Sequence, residues 1–260
     1  THNITKVVGG VTKDCTYLAK LIYGKVVDVV VSVSSPEAAE MAKLLENTFR
    51  AVNIGLINEL ALMCDKLKID IWEVITAAKT KPFGFMPFYP GPGLGGHCLP
   101  IDPLYLSWKS RLLGFEARLI ELASQINSYM PIHVVNKVVE LIISKRKRPI
   151  LNAKVLIVGV SYKKDVSDTR ESPALDIIKL LLEKQAVVSY FDPYISNLGI
   201  NGKQFYSKEL TRKCISDSDC VVIVTDHTKI NYSFIFKNAG LIFDTRNVYK
   251  GIKSPKIFRI

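Results

Sequence analysis

The segment GPGLGGHCLPID, residues 91–102, places a thiol in a glycine-rich loop and a carboxylate, Asp102, four residues beyond it. Glycine lets a backbone come close to a ligand, and a loop thiol is open to activation in a way a core thiol is not. Cys98 is therefore the candidate nucleophile, against the competing reading of a buried thiol in a tight turn. His97 adjoins it and could lower its pKa, although neighbouring side chains often diverge. Lys43 and Asn47 lie four residues apart in a helical pattern, so a cation and an amide share one face. If that face turns toward Cys98 the pair could stabilise an oxyanion; otherwise Lys43 is a solvated lysine. Farther on, VLIVGVSYKKDVSDTRESP (155–173) reads as strand, glycine turn, charged loop and helix start, whose N-terminus with Lys163, Lys164 and Arg170 could meet a pyrophosphate. It is not the GxGxxG fingerprint, so a complete dinucleotide site is not expected from this chain.

The elements that must hold these residues follow from pattern. Lys79 to Pro103 is so rich in Pro and Gly that no regular element can run through it, and a long, aromatic loop of this kind is usually functional. Before it, Ser34-Ser35-Pro36-Glu37 is a helix start, and apolar residues from Met41 to Leu67 keep a 3.6-residue period, with Asn53–Gly55 as an expected irregularity. After it, a second helical pattern spans about 116–144, with Pro131 expected to kink or restart it, and the run KRKR (145–148) before Pro149 reads as a boundary. The opening residues give a β-α-β fragment: strands at 6–11 and 26–33 around a helix at 14–23. Two strands do not make a stable sheet, so a larger one is expected upstream. From Ala153 on, the order is strand 155–160, helix 173–183, strand 187–191, helix 207–214, strand 221–225 and strand 241–244, the alternation of an open parallel sheet. The expected fold class is α/β: a Rossmann-like remnant at 1–35, a helical middle domain at 36–149 and a Rossmann-like domain at 150–260.

Composition narrows the classes. With 260 residues, 48% hydrophobic and 23% charged, the chain can bury a core and is not a disordered, collagenous or coiled-coil sequence. No apolar run reaches the roughly 18–20 residues of a membrane span, and the first residues lack a signal-peptide pattern. Five cysteines (Cys15, Cys64, Cys98, Cys214, Cys220) with no CxxC pair argue against a disulfide framework and a zinc site, which suits a reducing, cytoplasmic setting. A net charge of +11 favours anionic partners. No nucleic-acid recognition motif accompanies it, so a solvated linker explains KRKR and no nucleic-acid partner is expected.

Taken together, GPGLGGHCLPID, the Lys43-x-x-x-Asn47 helix and GVSYKKDVSDTRESP resemble the UDP-glucose/GDP-mannose dehydrogenase family over essentially the whole chain. The form KPFGFMPFYPGPGLGGHC is most similar to the branch that oxidises UDP-N-acetylhexosamines, with UDP-N-acetylglucosamine the expected substrate. The resemblance implies a C-terminal domain that binds UDP and a two-step, NAD-dependent oxidation of the sugar C6 alcohol to a carboxylate. Cys98 would trap the aldehyde as a thiohemiacetal, which becomes a thioester that water cleaves. Lys43 and Asn47 would stabilise the C6 oxyanion and Asp102 would help activate water. Phe88, Tyr89, Pro90, Gly91 and Gly95 would line the sugar nucleotide, Lys163 and Arg246 would contact it, and Arg170 would reach the cofactor; no metal is implied. It also implies a homodimer built on the long helices. Two departures stand out: Ile101 occupies a position where UDP-glucose members carry Lys, and the Arg such enzymes lend to a neighbouring subunit has only Lys79 and Lys81 nearby. The family's cofactor-binding GxGxxG and a catalytic Glu are expected upstream of Thr1. A truncated, non-catalytic UDP-sugar-binding or dimerising protein is the alternative.

Overall fold

The computed structural model describes residues 2–260. The chain opens with β1 (Lys6–Val8), α1 (Lys13–Tyr23) and β2 (Val30–Ser32), the two strands pairing in parallel. Thr12 starts α1 by accepting the Cys15 N–H at 3.1 Å. No residue of α1 is buried, so Tyr17, Leu18, Leu21 and Ile22 present an apolar face.

α2 (Pro36–Leu67) begins where the sequence says it should: the Ser35 hydroxyl accepts the Ala38 N–H at 3.2 Å and Pro36 fills the first turn, where a missing N–H costs nothing. It runs its 32 residues without the irregularity expected at 53–55. Gly55 sits where a Cβ would lie 3.1 Å from Ala123, so the glycine serves helix–helix contact rather than a break. The helix stops at Lys68, which takes a left-handed φ of 60°. After α3 (Ile71–Ala78) the loop 79–101 leads into α4 (Asp102–Arg111), a helix that the sequence pattern did not reveal. α5 (Arg118–Leu141) packs on α2 and carries Pro131 inside an unbroken helix, then widens into a π-helical turn at Ile142–Arg146.

The KRKR run is not a solvated linker. Arg146 Nε donates to the Asp219 carbonyl at 2.9 Å, and Arg148 Nη1 reaches both Asp219 carboxylate oxygens at 2.9 and 3.0 Å. Two of its cations thus latch the end of α5 to the following α/β unit.

That unit contains β3 (Lys154–Val158), α6 (Pro173–Glu183), β4 (Val187–Phe191), a β5–β6 hairpin (Asn197–Ile200, Lys203–Tyr206), α7 (Arg212–Ser216), β7 (Cys220–Ile223), α8 (Tyr232–Asn238), β8 (Ile242–Asp244) and β9 (Ile257–Arg259). Five strands form one parallel sheet in the order β4-β3-β7-β8-β9. The helix expected at 207–214 starts only at 212, because the Ser207 hydroxyl is exchanging hydrogen bonds with the Asp192 backbone and Thr211 provides the cap. Alternate residues of β3 face two cores: Leu156 and Val158 pack with α7 and α8, while Val155 and Ile157 share one continuous cluster with Ile57 and Ala61 of α2 and Val134 and Val138 of α5. The long helices and one face of the sheet are therefore a single packed body, which fixes loop 79–101 against the loops at the C-terminal ends of the strands.

Candidate active site

Cys98 is exposed, which removes the reading of it as a buried thiol. Its carbonyl accepts the Asp102 N–H at 2.9 Å, so the thiol sits one turn ahead of α4 with Asp102 leading that helix. Asp102 Oδ2 accepts from Asn47 Nδ2 at 2.6 Å, and the Asn47 carbonyl oxygen accepts from Arg50. Asn47 is 1% exposed. An amide nitrogen has two hydrogens, so one Asn47 N–H remains beyond its bond to Asp102. Lys43 is not drawn in: its ammonium pairs with Glu46 at 3.0 Å, on an exposed surface where such a pair is weak and easily exchanged.

The glycines of the loop are explained by what they touch. At Gly91 a Cβ would stand 2.8 Å from Arg246 Nη1, at Gly95 2.7 Å from both the Glu171 carbonyl and Tyr162 Cβ, and at Gly96, whose φ is +82°, 2.7 Å from the Tyr162 ring. The Gly96 N–H donates to the Arg170 carbonyl at 3.0 Å. The catalytic-loop candidate from the helical region is thus seated on segment 162–173. Arg170 forks onto the Asp168 carboxylate, with Nη2–Oδ2 at 2.6 Å, and places Nη1 3.4 Å from His97 Nδ1. The Arg170 guanidinium holds the Asp168 carboxyl down at about 2. Arg246 Nε donates to the Val224 carbonyl at 2.7 Å; among the described residues its guanidinium has no carboxylate partner, and burial lowers its pKa from the usual arginine value. An unpaired guanidinium facing a glycine backbone is a site for an anion.

Of the other expected residues, Phe88 packs edge-on to Phe49 with centroids 5.7 Å apart, and Tyr89 stacks on Trp72 at 6.0 Å. Pro90 is buried. Lys163 is exposed with no side-chain partner among the described residues, whereas Lys164 lies 3.7 Å from Asp226. A cavity of about 300 Å³ lies behind the loop, between Val52, Leu94, Ile101 and Pro173; Cys98 and Asp102 do not line it.

Three buried polar residues escaped the sequence reading. Asn58 accepts the Gly91 N–H at 3.0 Å and donates to Asn127 Oδ1 at 2.8 Å, while Asn127 donates to the Ala51 carbonyl at 3.0 Å. This relay from α2 to α5 pins the loop backbone just before the thiol. His227, fully buried, lies beneath the 161–165 turn.

The residues present do not fit the pyrophosphate of a dinucleotide. Such a group needs free N–H donors at a strand-to-helix turn. After β3, the Val160 and Ser161 N–H groups are taken by Asp192 Oδ2 at 2.7 and 3.2 Å. Gly91, Gly93 and Gly96 have GxGxxG spacing, but they follow no strand and open no helix. Arg170, beside His97, fits only a flank of such a cofactor. Among the described residues no three His, Cys, Asp or Glu side chains are grouped to hold a metal, and no helix is long and apolar enough to cross a membrane.

Comparison with known proteins gives two matches to one family: its central domain over residues 37–129 and its UDP-binding domain over 156–251, described as those of the UDP-glucose/GDP-mannose dehydrogenase family. A UDP-N-acetyl-D-mannosamine dehydrogenase of Methanococcus maripaludis is 37% identical over 94% of this chain and 56% of its own length. The structure of a UDP-D-ManNAc dehydrogenase from Pyrococcus horikoshii superposes with a TM-score of 0.83 at 31% identity, covering 99% of this chain and 60% of that one. A UDP-N-acetyl-mannosamine dehydrogenase from Staphylococcus aureus gives 0.80 at 34%, covering 100% and 59%. The chain thus spans little more than half the length of these relatives.

Proposed function

This chain belongs to the UDP-glucose/GDP-mannose dehydrogenase family, and on that premise we propose that it is the nucleophile-bearing, UDP-sugar-binding portion of a nucleotide-sugar 6-dehydrogenase. The observation that carries the reading is an exposed Cys98 held beside the Asn47–Asp102 pair, in a loop whose glycines abut Arg246 and segment 162–173. The names of the relatives favour UDP-N-acetyl-D-mannosamine over the glucosamine epimer expected from sequence.

In this reading the unpaired Arg246 and the exposed Lys163 receive the charged nucleotide, and the backbone at 88–91 and Gly95 lines it. Cys98 Sγ adds to the C6 aldehyde, giving a thiohemiacetal whose oxygen takes the spare Asn47 N–H, with Lys43 joining once its weak Glu46 pair exchanges. Asp102, held in place by Asn47, accepts a proton from the water that cleaves the later thioester. NAD+ would supply hydride-accepting chemistry, and Arg170 is the residue of this chain that would meet its flank. We also assign a homodimer to the long helices, because Leu45, Phe49, Leu56, Met63 and Leu67 leave an exposed stripe at four- and seven-residue spacing along α2. The proposed divisions remain 1–35, 36–149 and 150–260.

The test is acid formation from UDP-N-acetyl-D-mannosamine with NAD+ by the whole protein. Cys98→Ala should abolish it, and substantial residual acid would remove the thioester route. Binding of UDP with no turnover of any UDP-N-acetylhexosamine would leave a sugar-nucleotide-binding protein instead.

A further inference from the structure

We propose that His227 is a positioning residue for Cys98, acting through the 161–170 loop without touching substrate; the inference rests on Cys98 being the nucleophile. His227 has no exposed side-chain surface. Its Nδ1 accepts the Asp165 N–H at 2.9 Å, which puts the imidazole proton on Nε2, since a protonated Nδ1 has no lone pair to offer. Nε2–H then points between Asp192 Oδ2 at 3.0 Å and Ser161 Oγ at 3.1 Å. Serine and aspartate meet the same nitrogen, so this is no hydrolytic triad, in which they would take opposite nitrogens.

What the ring does is hold a left-handed turn. Asp165 takes φ +58°, a region uncommon for residues other than glycine, though aspartate enters it more readily than most. Thr228, next to His227, donates its N–H to Asp165 Oδ1 at 2.8 Å and its hydroxyl to Oδ2. Tyr194 lays its ring 5.1 Å from the imidazole and donates to Asp165 Oδ1 at 3.3 Å. On the other side, the Ser161 hydroxyl donates to the Lys163 carbonyl at 2.8 Å and the Tyr162 N–H to the Asp168 carbonyl at 2.9 Å. The turn so fixed offers Tyr162 to Gly95 and Gly96 and the Arg170 carbonyl to the Gly96 N–H, two residues before Cys98. Through these contacts the neutral imidazole of one tautomer sets where the thiol loop sits.

The experiment is amide hydrogen exchange, resolved by peptide, on the purified chain and two variants. His227→Gln keeps a donor for Asp192 but loses the Nδ1 acceptor; His227→Asn keeps a carbonyl oxygen near Nδ1. In His227→Gln, exchange over 161–170 and over 93–102 should rise about tenfold, the effect of one lost buried hydrogen bond, with β3, β7 and β8 unchanged. His227→Asn should stay within about threefold of the parent. Unchanged exchange at 93–102 in His227→Gln would overturn the proposal. So would acceleration through β7 and β8, which is the mark of plain core support, or equal acceleration in both variants. Exchange is read without substrate, so failure of the nucleotide-sugar reading appears in turnover or UDP binding and not here.

Discussion

Replacing Asn58 with alanine tests whether the thiol loop is held from below. Asn58 is fully buried and, among the described residues, is the sole partner of two groups, the Gly91 N–H and Asn127 Oδ1. Losing it strands a donor on the loop and an acceptor on α5, 69 residues away in sequence from Asn58. An uncompensated buried polar group costs about 1–3 kcal/mol, so the pair costs about 2–6 kcal/mol. At about 2–4 °C per kcal/mol for a chain of this size, the thermal midpoint should fall by about 4–24 °C. Asn53→Ala is the internal comparison: it removes an amide from the same helix, but one bonded only to the Phe49 carbonyl on an exposed face. That change should cost within about 0.5 kcal/mol. Scanning calorimetry on the three proteins reads the difference, and UDP titration reports whether the loop still meets Arg246, with weaker binding expected for Asn58→Ala. Equal midpoints for Asn58→Ala and Asn53→Ala would refute the reasoning, because solvent or a shifted Asn127 would then be satisfying both groups.

Iodoacetamide at mildly alkaline pH should label Cys98 and Cys15, both exposed, and spare Cys64 and Cys220; burial pushes the Cys220 thiol up to about 12, and mass mapping that found Cys98 as slow as Cys220 would contradict an accessible nucleophile. Gly96→Ala puts a methyl against the Tyr162 ring at φ +82° and should destabilise by about 1–3 kcal/mol, with part of the loss recovered in the Gly96→Ala/Tyr162→Ala double variant; strictly additive losses would mean that the two do not touch. Arg170 depresses the Asp168 carboxyl to about 2, so the stability that pair contributes is complete above the ordinary carboxylate value of about 3.9 and is lost as pH falls toward 2; acid titration followed by circular dichroism should show the parent losing more stability between those values than Asp168→Asn does.

The elements legible in the sequence are those whose ends carry their own chemistry. Ser35-Pro36 and Ser172-Pro173 each place a hydroxyl cap and a proline where a helix begins, and α2 and α6 begin there. The β5–β6 hairpin carried a readable signal as well, Asn201-Gly202 with both residues at positive φ, between runs too short to register as strands on periodicity alone. α8 has an Asn231 cap that accepts the Phe234 N–H at 2.9 Å, but YSFIFKN is aromatic enough to suit a strand and masks it, and IFR of β9 becomes a strand only because β8 presents an edge. The site divides in the same way. Cys98, Asp102 and the glycines are local in sequence and were found together, while Asn58, Asn127 and His227 are single polar residues inside apolar patterns, where composition gives no hint of burial. Their meaning is set by partners 33, 69 and 62 residues away. A glycine-rich loop has little stiffness of its own, so the position of its thiol must come from what it rests on. Here it rests on neutral amides from below and on a turn locked by a neutral imidazole from the side. The charges near the thiol, the Asp102 carboxylate and the Arg170 guanidinium 3.4 Å from His97, are themselves held by Asn47 and Asp168, so the supports that set the loop's position are separate from the charges that set the thiol's reactivity.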